Sequence, residues 1–183
     1  MTVTVSVAGD GDLADAQRVM RRVVAEDLGG YRPQWHRDVD DPAAAYVRAE
    51  RSALFVARLD GAAIGTAAVW PCRLQSPPNP AWLADRYAVP SVCELRRVWV
   101  VADARRRGAA RALVRAAASW AVTEGGYRTV YFHTDTGVAG AEPFWRSLPA
   151  VEVHDARPGP WNCVHFELDV AALLTGQLAG VAR

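Results

Sequence analysis

Residues 93–134 carry the pattern that most restricts this chain. CELRRVWVV is followed by a polar turn, ADARRRG, an alanine-rich run from Gly108 to Glu124, the pair Gly125-Gly126, and TVYFHT. A strand, a helix and a second strand joined in this way form a crossover unit whose two strands lie parallel in one sheet. The remaining segments must assemble around that unit. Val3, Val5 and Val7 alternate with small polar residues and predict a first strand. Asp12 then caps a helix over Leu13 to Leu28, with a stripe formed by Leu13, Ala16, Met20, Val23, Val24 and Asp27, stopped by Gly29-Gly30. Residues 31–40 read as irregular, and Asp41-Pro42 as a cap and first helical proline opening a short helix through Glu50. SALFVARLD and AAIGTAAVW flank Asp60-Gly61, a two-residue hairpin turn. The proline-rich stretch 71–92 has the length of a lid or binding loop. Beyond the crossover lie a short helix over Ala141 to Leu148, the strand pair VEVHD and WNCVHFELD around ARPGP, and a last helix over Val170 to Leu178. The order β-αα-ββ-β-α-β-α-ββ-α predicts an α/β mixture, largely antiparallel, with one parallel crossover.

Three like charges, Arg105, Arg106 and Arg107, stand where the alanine-rich helix begins. A helix N-terminus already carries partial positive charge and favours Asp or Glu, so arginines there make sense if an anion occupies the spot. Unpaired N–H groups of a first helical turn hold a phosphate group, and arginine side chains add charge-assisted bonds. The small residues Gly108, Ala109 and Ala110 let oxygens reach the backbone, and so short a grip suits a diphosphate. Nucleic acid fits poorly: 21 Lys and Arg against 20 Asp and Glu leave a formal net charge of +1, without the basic excess that such binding uses. No apolar run of about 18 residues predicts a membrane span, and the N-terminus lacks a secretory pattern. Cys72, Cys93 and Cys163 form no CxxC pair, which argues against a disulfide framework or zinc site and for a reduced, cytoplasmic protein. His133, His154 and His165 show no metal-ligand spacing.

Arg-x-x-Gly-x-Ala at 105–110 resembles the acyl-CoA signature of the GNAT superfamily of N-acyltransferases. The wider string CELRRVWVVADARRRGAARALVRAA is similar to the strand-turn-helix core of its small members. Thr134, Ala141 and Phe144-Trp145 also fall where the family has a strand-end Thr and an Ala-x-x-aromatic-aromatic helix. The resemblance implies a GNAT fold in a single domain over 1–183: a central mixed, mostly antiparallel sheet of about seven strands, splayed after the fourth strand and flanked by helices. It implies acetyl-CoA as co-substrate, no metal, and transfer of an acetyl or short acyl group to a primary amine of a small molecule by direct attack in a ternary complex. A homodimer is a common assembly in the family, with neither nucleic acid nor membrane as partner.

The family pairs the pantetheine arm with main-chain groups that correspond here to Val98, Trp99 and Val100. The diphosphate would lie on Arg105, Arg106, Arg107, Gly108, Ala109 and Ala110, with Thr134 as a further cofactor contact. Glu94, 11 residues before Arg105, matches the general-base glutamate of histone-acetylating members and would accept a proton or orient the ammonium. An ion pair with Arg96, Arg97 or another neighbour is the alternative. On a regular strand Glu94, Arg96, Val98 and Val100 share one face. Trp145 occupies the position of the family's usual tyrosine acid. Its indole N–H donates a hydrogen bond but supplies no acid near neutral pH, so either the thiolate leaves without a dedicated acid or another residue, Tyr131, His133 or Tyr87, supplies the proton. Acceptor pockets of the family point to Trp35, His36, Trp82 and Tyr87, with Tyr31, Asp38 and Trp161 nearby. Two other readings stand beside this one. The Trp145 replacement suits a catalytically reduced acyl-CoA-binding sensor or partner module, and the acceptor could be a peptide or protein amine.

Overall fold

The N-terminal alternation becomes strand β1 (Val3–Val7), antiparallel to β2 (Ala53–Leu59) in a register from Val3↔Leu59 to Val7↔Phe55. The structure is a computed structural model and describes residues 2–159 and 162–176. It comprises two compact units, one formed by residues up to Trp70 with Leu95–Trp120, the other by Pro71–Glu94 with residues from Ala121 onward.

In the first unit, helix α1 (Leu13–Asp27) buries Ala16, Val19, Met20, Val23 and Val24. It stops at Gly29 and Gly30, with φ of 68° and 97° that glycine adopts without steric cost. Ala16 and Met20 share a core with Val39, Tyr46, Leu54, Val56 and Ala68. The hairpin from β2 to β3 (Ala62–Pro71) turns at Asp60 and Gly61, both at positive φ, as an Asp-Gly turn demands.

Two local expectations need correction here. Residues 31–40 are not irregular, because Pro33–Asp40 forms helix α2, kinked at His36. Pro33 sits in its first turn, where a missing N–H costs nothing. Asp41 does cap the next segment, its carboxylate accepting from Ala44 N at 2.9 Å. That segment, however, is a single wide π-type turn over Ala43–Val47, closed by Arg48 N to Ala43 O at 2.8 Å, and does not reach Glu50 as a helix.

In the second unit, the stretch 71–92 is no bare loop, since Ala81–Tyr87 forms helix α3. Leu83 and Tyr87, one helical turn apart, drive it by packing into a core with Cys72, Val92 and Tyr131. Strand β5 (Thr129–Asp135), helix α5 (Ala141–Arg146), strand β6 (Ala150–Asp155), strand β7 (Cys163–Leu168) and helix α6 (Val170–Thr175) complete this unit. Asp169 caps α6 and Gly176 ends it at φ 78°, short of the expected Leu178, which lies outside the described residues, as does Trp161.

Strand β4 (Val92–Val100) is the fourth strand of a seven-stranded mixed sheet in the order β1-β2-β3-β4-β5-β7-β6. After β4 comes helix α4 (Ala109–Thr123), and the crossover ends in β5 parallel to β4, as the sequence pattern demands. Their register comprises three pairs, Val92↔Thr129, Cys93↔Val130 and Glu94↔Tyr131. The expected regular alternation along β4 fails at Arg97, whose φ of 53° is left-handed. Glu94 and Arg96 therefore do not share one continuous face with Val98 and Val100, because a left-handed residue turns the pleat out of step.

Candidate active site

In the first unit, the segment after β4 forms a short 3-10 turn (Ala102–Ala104) and then two left-handed residues, Arg106 at φ 60° and Gly108 at φ 81°, before α4 opens. Nothing lies within 4 Å of the point a Cβ on Gly108 would occupy, so the loop is open at Gly108, just before the first turn of α4. This loop fits a diphosphate held by main chain. Arg105 has another task. Its Nε donates to the Val100 carbonyl at 3.0 Å, and its guanidinium pairs with the Asp27 carboxylate at the end of α1. Asp27 thus occupies the core-side stripe of α1 because an arginine meets it there. Arg22 adds a second tie from α1 to the same loop through Asp103 at 3.3 Å. Arg106 and Arg107 stand exposed on the rim.

Trp99 and Val100 are approached closely by β3: a Cβ on Gly65 would lie 2.8 Å from the Trp99 carbonyl oxygen and 3.1 Å from Val100 Cγ2. Arg97 is a hub of the same unit. Its Nε and one terminal nitrogen donate to Asp38 at 2.7 and 2.6 Å, that nitrogen also reaches the Trp35 carbonyl, and Tyr46 donates to Asp38 as well. Thr66 Oγ1 donates to the Arg97 carbonyl at 3.1 Å. Burial opposes ionisation of Asp38, but the hydrogen bonds and charge of Arg97 outweigh it and hold the carboxyl below its ordinary range. His36 is buried and accepts from Arg32 N at 2.9 Å, while Trp35 stays exposed under the Arg32 guanidinium. Burial, with the Arg97 charge second, pushes the His36 imidazole down.

In the second unit, Glu94 is buried and its Oε1 lies 3.2 Å from Nδ1 of His133; the two side chains are 9% and 42% exposed. Pairing places His133 opposite His165 on β7, and His165 opposite His154 on β6. The three rings make a row with centroids 5.8 and 5.5 Å apart, which continues through His154 to the exposed Trp82 at 5.6 Å. His165 is buried, its Nδ1 2.5 Å from the Tyr131 hydroxyl. Burial, helped by the neighbouring imidazoles, pushes it down to about 4. Tyr131 is pushed up by burial and by the Glu94 charge. Among the described residues no group of three or more His, Cys, Asp and Glu is arranged to hold a metal ion. The row escaped sequence reasoning because spacing along the chain hides cross-strand register; a single His inside each of three strands was the available signal.

Tyr87 is buried and donates to Glu167 at 2.9 Å. Trp145 packs on Phe132 at 4.3 Å, and Phe132 alternates with Tyr131 and His133 along β5, so the indole lies on the opposite sheet face from the Glu94–His133 pair. Thr134 shares that opposite face and is buried.

A family model, the acetyltransferase (GNAT) family, matches residues 20–148. The chain belongs to the GNAT acetyltransferase family. Solved structures agree in fold. A GNAT acetyltransferase from Staphylococcus aureus Mu50 superposes with a TM-score of 0.67 at 10% identity, over 92% of this chain and 99% of that one. The protein yncA from Salmonella typhimurium, solved with its cofactor acetyl-CoA, gives 0.67 at 16% identity, over 93% and 95%. Spermidine N-acetyltransferase from Vibrio cholerae, in complex with CoA and spermine, gives 0.65 at 13% identity, over 94% and 98%. No curated protein sequence matches. Acetyl-CoA-dependent acyl transfer is the activity of this GNAT domain, and no helix among the described residues is long and apolar enough to cross a membrane.

Proposed function

We propose that the chain moves an acetyl, or a related short acyl, group from acetyl-CoA to a primary amine of a small molecule, by direct attack within a ternary complex. The observation that carries this reading is the Glu94–His133 pair, a buried carboxylate joined to a half-exposed imidazole. An alkyl ammonium must shed a proton before its nitrogen can attack, and a carboxylate–imidazole pair meets that need. The GNAT fold shared with the spermidine acetyltransferase lends support to an amine acceptor.

Cofactor binding is assigned to the α4 start. First-turn N–H groups of Gly108, Ala109 and Ala110 would take the diphosphate, Arg106 and Arg107 would add charge, and Arg105 would keep the loop in shape through Asp27. Bound acetyl-CoA supplies an activated thioester carbon. The main chain of Val98 and Trp99 would pair with its pantetheine amides, and the short register of β4 with β5 supports that reading. The Val100 carbonyl already accepts from Arg105. Trp35 in the first unit and Trp82 in the second are exposed aromatics and remain acceptor candidates, whereas His36 and Tyr87 are buried and would act only through their neighbours.

The test is thiol release from acetyl-CoA against a panel of polyamines, amino acids, aminoglycosides and peptides, with the acetylated product read by mass. Release with a small amine supports the proposal. Tight acetyl-CoA binding with no release for any acceptor would instead favour the sensor reading, which the burial of Trp145 away from the Glu94 face motivates.

A further inference from the structure

Resting on the acetyl-transfer reading above, we propose that His133 is the group that takes the acceptor's proton, and that Glu94 is a positioning residue acting through it.

The two side chains differ in what can reach them. Glu94 is 9% exposed and turns Oε1 to His133 Nδ1 at 3.2 Å, whereas His133 is 42% exposed. A carboxylate facing Nδ1 sets the tautomer: Nδ1 keeps its hydrogen and donates it to Glu94, so the lone pair is on Nε2. A substrate ammonium can approach an exposed ring far more easily than a buried carboxylate whose oxygen already accepts a bond. The logic is that of a base held by an orienting carboxylate.

The proton count closes. The ammonium gives one proton to His133 Nε2, leaving a neutral amine. Its nitrogen forms the C–N bond to the acyl carbon, the C–S bond breaks with its pair on sulfur, and the second nitrogen-bound proton passes to sulfur. The imidazolium then returns its proton to solvent through its exposed edge.

The groups facing His133 are arranged for this task. Glu94 on β4 stabilises the imidazolium once it forms. Tyr131, two residues away on β5, has its hydroxyl engaged with His165, and burial keeps that phenol protonated. His165 on β7, at 5.8 Å between ring centres, is neutral at any pH well above 4 and adds no repelling charge. His154 on β6 lies one ring further, beyond His165.

The test compares wild type, His133→Ala, His133→Gln and Glu94→Gln, using the best amine of the panel and following kcat/KM against pH, with acetyl-CoA affinity measured in parallel. Both His133 variants should lose about 100- to 1,000-fold in kcat/KM, keep acetyl-CoA affinity within about threefold and lose the acid limb of the profile. Glu94→Gln, whose amide oxygen still accepts from Nδ1, should lose only about tenfold and keep the acid limb, because the ring stays oriented with Nε2 free to take the proton. The proposal is overturned if Glu94→Gln abolishes the limb while His133→Ala stays within threefold, which makes Glu94 the base. It is overturned equally if all three variants stay within threefold, which assigns the proton to water. Both outcomes leave acetyl transfer intact, whereas a wild-type protein that acetylates no amine refutes the functional reading and this proposal with it.

Discussion

Asp38→Asn is the substitution whose cost follows most directly from the structure. Asp38 and Arg97 are 8% and 11% exposed at the side chain, are joined by two bonds of 2.6 and 2.7 Å, and link α2 to β4 across 59 residues of sequence. Removing one partner of a buried pair strands the other charge, which costs about 3–5 kcal/mol. For a chain of this size that lowers Tm by about 6–20 °C. Arg97 also holds a left-handed backbone that costs a non-glycine residue about 1–2 kcal/mol, so its bonds to Asp38 and Trp35 must outweigh that strain. Arg97→Met should therefore destabilise by a similar amount. The double variant Asp38→Leu with Arg97→Met should lose clearly less than the sum of Asp38→Leu and Arg97→Met measured singly, because no charge is left unpaired.

Equilibrium urea unfolding at several pH values is the assay. The Asp38 carboxyl is held below 3.8 in the folded chain, so its pair contributes in full above the ordinary aspartate range and is lost as pH falls through the lowered folded value. Wild type should shed this part of its stability on acidification, and Asp38→Asn should not. A loss below about 1 kcal/mol at pH 7, in the range of exposed pairs, together with an unchanged acid dependence, would refute the claim that this pair is buried and structural.

Three further outcomes follow from the cofactor side. Gly108→Asp should raise the Kd for acetyl-CoA by about tenfold or more, because a carboxylate at the start of α4 repels the diphosphate; Glu94→Ala should leave that Kd within about threefold, and calorimetric titration decides between them. Gly65→Ala forces a Cβ to 2.8 Å from the Trp99 carbonyl, so it should cost about 1–3 kcal/mol in urea unfolding and weaken acetyl-CoA binding through the displaced β4. Arg105→Gln should lower stability by about 0.2–1 kcal/mol, as for a partly exposed pair, with little change in the salt dependence of binding, while Arg106→Gln should flatten that salt dependence with stability unchanged.

What was legible in the sequence shares a physical character with what was not. The order of elements could be read because each rests on local periodicity: the alternating valines of β1, the Asp-Gly turn, the alanine-rich α4 between two glycine stops. Helix α2 could not, since its buried side chains are only His36 and Val39 and bonds that fix it come from Gln17 and Arg97, both distant in the chain. Helix α3 was masked by Pro77, Pro78 and Pro80 before it, and became a helix because Leu83 and Tyr87 found a core. The left-handed Arg97 lies inside an apolar run that reads as regular strand; no residue type announced it.

The same division runs through the site. The loop proposed to hold the diphosphate is one continuous string, so residues 105–110 stood out together, whereas the reason for Asp27 in the α1 stripe, its pairing with Arg105, emerged only from the fold. The Glu94–His133 pair proposed to handle the proton is assembled from two strands, and the histidine row from three. A chain motif can specify where a cofactor is gripped by backbone, because consecutive N–H groups must come from consecutive residues. Base chemistry needs only two side chains within hydrogen-bond reach, and any two neighbouring strands can supply them. Glu94 therefore carried a signal through its distance from the loop, while His133 was one of three unranked acid candidates until the fold placed its ring beside the carboxylate.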